Sequence, residues 1–177
     1  MRKGDGMKSM DIANMLLSAY GDRLYLTCRK TGILVYYIQV ESLRERAMPA
    51  FDDAVEAWDC GPVEPGIMGM LEGHGSDRIT EPAYGTHEDN GVIMSVIDIV
   101  AHDYGALASF ELSEFARRNG SAWATAFKPG EHERITGDMI IRSDDFTQKP
   151  DLRHTLAGGA AEVDRRFPNA LRLLRDS

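Results

Sequence analysis

The sequence predicts a mainly α protein: a single compact helical domain with a short β element near residues 51–59. Three observations predict it. Apolar residues recur at helical spacing in several separate segments. Ser, Thr, Asn, Gly and Pro stand at the ends of those segments rather than inside them. One stretch, 51–58, has a two-residue pattern that permits a short extended segment. With 177 residues, 43% hydrophobic and 27% charged, the chain lies in the globular range and needs neither disulfide nor metal to bury a core.

The first helix starts at Ser9, its expected N-cap, and carries Ile12, Met15, Leu16, Ala19 and Tyr20 to a C-cap at Gly21. ILVYYIQV (33–40) is ambiguous. Its β-branched and aromatic content suits a buried strand. The proline-free setting from Thr27 to Arg46 favours a long buried helix, either bent at Gly32 or starting after it. Pro49 ends that element. Phe51, Asp53, Val55 and Ala57 then alternate with Asp52, Ala54, Glu56 and Trp58 as a short extended segment. Cys60-Gly61-Pro62 is a turn signal, and Pro65 opens a helix that runs to Gly73. Residues 73–91 read as a loop. Residues 92–104 give the clearest amphipathic helix, with Ile93, Val96, Ile97 and Val100 on one face. Ser109 is the expected cap of the next helix, which Asn119-Gly120 ends. Ser121 starts a short turn with Trp123 and Phe127, and Thr136 caps a short helix through Ile141. Leu152, Leu156, Gly159, Val163 and Phe167 keep one helical register in the tail until Pro168, and Leu171 with Leu174 begins a last turn.

The formal net charge is −8, which disfavours a nucleic-acid binder and suits a basic protein partner. No apolar run approaches the ~20 residues that span a bilayer. MRKGDGMKS (1–9) lacks the apolar stretch of a signal peptide, so the expected location is the cytoplasm. Cys28 and Cys60 match no zinc or redox spacing, and two buried thiols in a reducing compartment fit them better than a disulfide, the alternative the sequence leaves open.

A catalytic constellation is not evident. His74, His87, His102, His132 and His154 are scattered, and His102-Asp103 reads as a surface pair rather than a metal site. GHGS (73–76) is too poor in glycine for a phosphate cradle. Glu56 and Glu64 read as surface carboxylates rather than an acid–base pair. Residues 149–177 carry six basic and four acidic residues, leaving 14 basic against 24 acidic in the remainder. A solvated helix face accounts for that cluster (Lys149, Arg153, Arg165, Arg166, Arg172, Arg175) better than RNA contact does. The stretch around Trp58 differs in kind. Residues 47–71 hold no Lys or Arg, so Trp58 is either an interface anchor rimmed by one sign of charge or a core residue beneath solvated carboxylates.

YYIQVESLRERAMPAFDDAVEAWDCGPVEPGI (36–67) resembles the signature of the Panacea domain, also called the antitoxin SocA-like domain. The matching positions are Tyr36, Tyr37 and Gln39; Pro49, Phe51 and Asp52; and Glu56, Ala57, Trp58, Gly61, Pro62, Val63 and Pro65. MDIANMLLSAYG (10–21) is similar to the family's first helix. YGALASFELSEFAR (104–117), with Glu111, and SAWATAF (121–127) are similar to two later segments. The likeness covers about residues 10–146. It departs from the family at TCRKTGILV (27–35), and at Val40-Glu41, where a glycine–tryptophan pair is common.

The resemblance implies an antitoxin that neutralises a cognate protein toxin, with no catalytic residue, cofactor or metal. Some members are adaptors that present a toxin to a protease, and members occur in phages and other mobile elements. The expected partner is therefore a toxin, with a protease and a second copy of the chain as further candidates, and no membrane. The implied organisation is a flexible start at 1–9, a Panacea domain at 10–148, and a helical extension at 149–177 packed on it. On this reading Gly61-Pro62-Val63 is a rigid corner that fixes the approach of the acidic face. An enzyme or RNA-binding module using the histidines or the basic tail is the competing class, and a phage-encoded interaction protein on this fold without a toxin is a third reading.

Overall fold

The computed structural model describes residues 7–84 and 90–166. They form nine α-helices and three short strands, so the mainly α expectation holds. The helix α2 (Cys28–Arg46) is the axis of the fold. Around it pack α1 (Ser9–Tyr20), α3 (Pro65–Leu71), α4 (Gly91–Tyr104), α5 (Ser109–Ala116), α7 (Gly137–Ile141) and α8 (Asp144–Thr147). This explains the ambiguity of 33–40. A helix covered on all sides is apolar on all sides, and so has a strand's composition. The run from Ile33 to Ile38 is entirely buried. Each such side chain contributes about 1.5–3 kcal/mol on burial. α2 runs through Gly32 without a break, which corrects the alternative of a helix that starts after it.

Adjacent residues on α2 point about 100° apart, so the aromatic pair divides its partners. Tyr37 stacks on Tyr104 of α4 with centroids 4.3 Å apart, and its ring also lies near Phe115 of α5. Tyr36 turns toward α8. The expected stripe of α4 is the buried one, with Ala101 and Tyr104 added.

Among the helix starts capped by their own hydroxyl, that of Thr136 is the expected one. Thr27, Ser121 and Thr136 each accept a backbone N–H three residues on, from Lys30, Ala124 and Met139. Ser9 does not cap α1. The N-cap is Lys8, and Asp53 reaches across to accept from the Ser9 N–H at 2.7 Å and its hydroxyl at 2.9 Å. Nor does Ser109 cap α5. Ala108 holds that place, its N–H donating to Glu111 at 2.9 Å. In both cases a carboxylate satisfies the helix start better than the local hydroxyl.

The expected β element is real but shorter, and it has partners. β1 (Val55–Trp58) pairs antiparallel with β2 (Gly61–Val63) on one side and β3 (Glu133–Ile135) on the other. Glu56 faces Val63 in one register and Arg134 in the other. Phe51 to Ala54 lie outside the strand. A short helix, α6 (Ala122–Ala126), braces the sheet: the Trp123 indole N–H donates to the Trp58 carbonyl at 2.8 Å.

α3 ends at Leu71 and passes into a 3-10 turn over Glu72–His74, before the polar loop begins. That loop is pinned by Ile79, which is buried and donates its N–H to the Leu26 carbonyl at 2.7 Å. Cys28 is buried, but Cys60 is only half-buried, and both are free thiols.

The tail is not one continuous helix. Leu152–His154 is a 3-10 turn, and α9 (Leu156–Arg166) starts anew after Thr155. Leu156 is 65% exposed, so the expected apolar stripe is not a core face at that position. The side chain of Val163, and Phe167, Pro168, Leu171 and Leu174, lie outside what is described, as do Gly85, His87 and residues 1–6.

Candidate functional site

α2 positions the first motif residues. One turn beyond the Tyr36–Tyr37 pair, the Gln39 side chain clamps the arm that follows Pro49. Its carbonyl accepts from the Ala50 N–H at 2.6 Å and the Phe51 N–H at 3.3 Å, and its amide donates to the Phe51 carbonyl at 3.1 Å. Phe51 is thereby driven into the core, leaving Asp52 exposed beside it.

The corner is built as its residues dictate. Asp59 and Cys60 make the turn between β1 and β2, and Gly61 completes it at φ 124°, a conformation other residues rarely adopt. Gly61, Pro62 and Val63 are all buried. Glu64 is buried too, not a surface carboxylate as expected. It caps α3 with both oxygens, accepting from the Gly66 N–H at 3.0 Å and the Ile67 N–H at 2.7 Å. Pro65 takes the first helical position, where its missing N–H costs nothing. A Cβ at Gly66 would stand 3.2 Å from both Glu64 oxygens, so glycine there lets the carboxylate approach.

Trp58 resolves as neither a core residue nor a bare anchor. β1 turns Val55 and Ala57 inward, and leaves Glu56 and Trp58 half-buried on the outer face. The indole stacks on His132 with centroids 4.3 Å apart and planes 11° from parallel. Its N–H donates to Glu56 at 2.8 Å. Of the residues singled out from the sequence, Tyr36, Tyr37, Phe51, Gly61, Pro62 and Val63 are buried. Gln39, Glu56, Trp58, Pro65 and Glu111 are half-buried, and Asp52 alone is fully exposed. They form a scaffold with one outer face. Glu111 belongs to another place, where its second oxygen accepts from the Leu156 N–H at 2.8 Å and ties the tail to α5.

The carboxylates of 51–65 are correspondingly less free than their number suggests. Burial alone would raise the Asp53 carboxyl, but the Ser9 N–H and hydroxyl and the Lys8 ammonium outweigh it and hold Asp53 below the usual range. β3 also brings Arg134 and His132 against the acidic stretch, and Arg117 donates to the Asp59 carbonyl at 3.3 Å.

Two open grooves flank these elements. One, of about 500 Å³, lies between the 49–55 arm and α7 and is floored by Gln39 and Leu43 of α2. The other, of about 640 Å³, lies between the start of α2 and the start of α5, with Tyr25 and Phe110 exposed at its rim.

Sequence reasoning missed a buried polar hub. Asp145, wholly buried at the start of α8, accepts from the Tyr36 hydroxyl at 2.6 Å, the Ala122 N–H at 2.9 Å and Arg118 at 2.7 Å. Burial first, then the Asp145 charge, pushes the Tyr36 phenol well above its ordinary value, so it stays a donor. The only local signal was Ser143, which caps α8 through the Asp145 N–H. A second buried carboxylate, Glu41, meets Arg44 and Lys149, and Lys149 also reaches Asp103 at 2.7 Å. Much of the basic tail is spent in this way, since Arg153 pairs with Asp151 and Arg165 with Glu162. The side chain of Arg166, and Arg172 and Arg175, lie outside the described residues.

These features define a class: a mainly α protein wound round one central helix, with a three-stranded sheet whose outer face and flanking groove are its exposed motif surface. The family described as antitoxin SocA-like, Panacea domain, matches residues 34–124, just over half of the chain, and the chain belongs to that family. Comparison with curated proteins and with solved structures gave no match. Among the described residues no single helix is long and apolar enough to cross a membrane.

Proposed function

We propose that this chain is an antitoxin that neutralises a protein toxin by direct binding, in the cytoplasm, with no chemistry of its own. The family match over residues 34–124 carries the reading. The character of the motif surface supports it. Trp58 is held by a stack on His132 and a bond to Glu56, so the indole is ordered before any partner arrives. A preordered aromatic loses little freedom on binding, which is where interface affinity is usually lost. Among the described residues no group of three or more His, Cys, Asp and Glu is placed to hold a metal ion. The one described histidine with a side-chain hydrogen bond, His102, makes it to neighbouring Asp103 on the surface rather than to a nucleophile. We assign toxin binding to residues 10–148 and treat 149–177 as an extension.

The test is co-expression with the products of the genes that flank this one. One of them should arrest growth alone, be tolerated with this chain, and co-purify with it. Trp58→Ala should weaken that complex at least tenfold while the far-ultraviolet circular dichroism stays unchanged. Absence of any flanking product that is both toxic and bound would overturn the reading.

A further inference from the structure

We propose that the groove between the 49–55 arm and α7 receives an extended segment of a protein partner, through an apolar side chain flanked by lysine or arginine. This rests on the direct-binding reading and names the chemistry of the segment that is bound.

The groove is apolar at its base. Leu43, Phe51, Val55, Ile135 and Ile140 line it, and Ile141 at its edge is 47% exposed. Its polar floor residue, Gln39, is already spent on the Ala50 and Phe51 backbone. The floor side chains are themselves buried and Gln39 has no free polar atom, so the apolar area open to a partner is chiefly that of Ile141. That is the anatomy of a protein interface, with an apolar centre and polar rim, rather than of a site for a small polar ligand.

The rim sets the sign of the partner. Asp52 stands on one wall and Asp138 on the other, both exposed, and neither forms an ion pair among the described residues. Asp53 is engaged by Ser9 and Lys8. Against two unpaired carboxylates the lining supplies one cation, Arg134. A basic residue beside the apolar anchor completes the charge balance, whereas phosphate or nucleic acid meets repulsion.

The experiment pans a displayed library of random twelve-residue peptides against the full chain, then measures the best peptide by fluorescence anisotropy. Enrichment of an aliphatic or aromatic residue next to Lys or Arg is expected. Affinity should fall at least tenfold in Asp52→Lys/Asp138→Lys, and also in Ile141→Ser, which removes exposed apolar area at the edge without changing the rim charge. Tyr25→Ala/Phe110→Ala, in the other groove, should bind as wild type. Peptides without the basic–apolar pattern, or binding that follows the Tyr25–Phe110 variant instead, would overturn the proposal. The two readings fail separately. A co-purifying toxin indifferent to the charge reversal sinks the groove alone. Peptide binding without any flanking toxin sinks the antitoxin reading alone.

Discussion

The motif segment 49–65 and the later segment 118–149 are both rich in carboxylates, and they use them in opposite ways. In the first, Asp53, Glu56 and Glu64 each serve a neighbour: one the start of α1, one the Trp58 indole, one the start of α3. Each of these carboxylates serves one place: Glu56 and Glu64 bond within three residues of themselves, and Asp53 reaches the start of α1, 44 residues away. In the second, Asp145 is taken fully out of water and serves three elements at once: α2 through Tyr36, the end of α5 through Arg118, and the start of α6 through Ala122. The difference teaches that a run of like charge in a sequence is not a charged surface. Two of the carboxylates without a side-chain partner among the described residues, Asp52 and Asp138, come one from each segment and line the same groove.

The comparison breaks most sharply at Asp145. Asp145→Ala leaves the Arg118 guanidinium, whose Nε and Nη2 have no partner among the described residues, without its carboxylate. Removing one partner of a buried pair costs about 3–5 kcal/mol. The expected result is a large drop in the urea midpoint with an unchanged slope. A loss below about 1 kcal/mol would mean that the hub is wet, and no different in kind from the caps.

Glu64→Ala should come next. It strips two backbone N–H groups at the start of α3 of their acceptor, and cap deletions cost about 0.5–2 kcal/mol. Equilibrium unfolding should show a loss clearly smaller than that of Asp145→Ala. Equal losses would erase the distinction drawn between the two segments.

Asp53 gives a smaller effect, separable by pH. Its carboxyl is held below the unfolded value, so its stabilisation is complete above the ordinary carboxylate range of about 4 and is lost as pH falls through the folded value. Wild type should exceed Asp53→Asn in thermal stability at neutral pH, and the gap should close on acidification. A gap that persists unchanged at acid pH would show that the contact with Ser9 does not depend on ionisation.

The sequence made the frame legible wherever signals were local. The α4 stripe, the Thr136 cap and the Gly61 turn follow from spacing and backbone chemistry alone. What was hidden is non-local. β3 is three residues long and is a strand only because Val55–Ala57 lie beside it. Ser9 and Ser109 lose their expected capping roles to carboxylates at Asp53 and Glu111, and the first of these lies 44 residues away. Asp145 has the local appearance of a solvated acid in a helix's first turn, and only tertiary packing buries it. The groove joins residues near 50 to residues near 140, so neither wall announces the other.

The smallest expected effect concerns Asp52, and its smallness is the point. Among the described residues it makes no hydrogen bond or ion pair, and it is exposed beside a Phe51 that Gln39 already fixes. Replacing an exposed side chain with no partners changes stability within about 0.5 kcal/mol. Asp52→Lys should therefore unfold at the wild-type midpoint while reversing one wall of the groove. Its neighbour Asp53, one residue on, should behave differently at neutral pH. If Asp52→Lys destabilises the fold as much as Asp53→Asn does, the carboxylate holds the arm in place, and a loss of partner binding in that variant reports on folding rather than on contact.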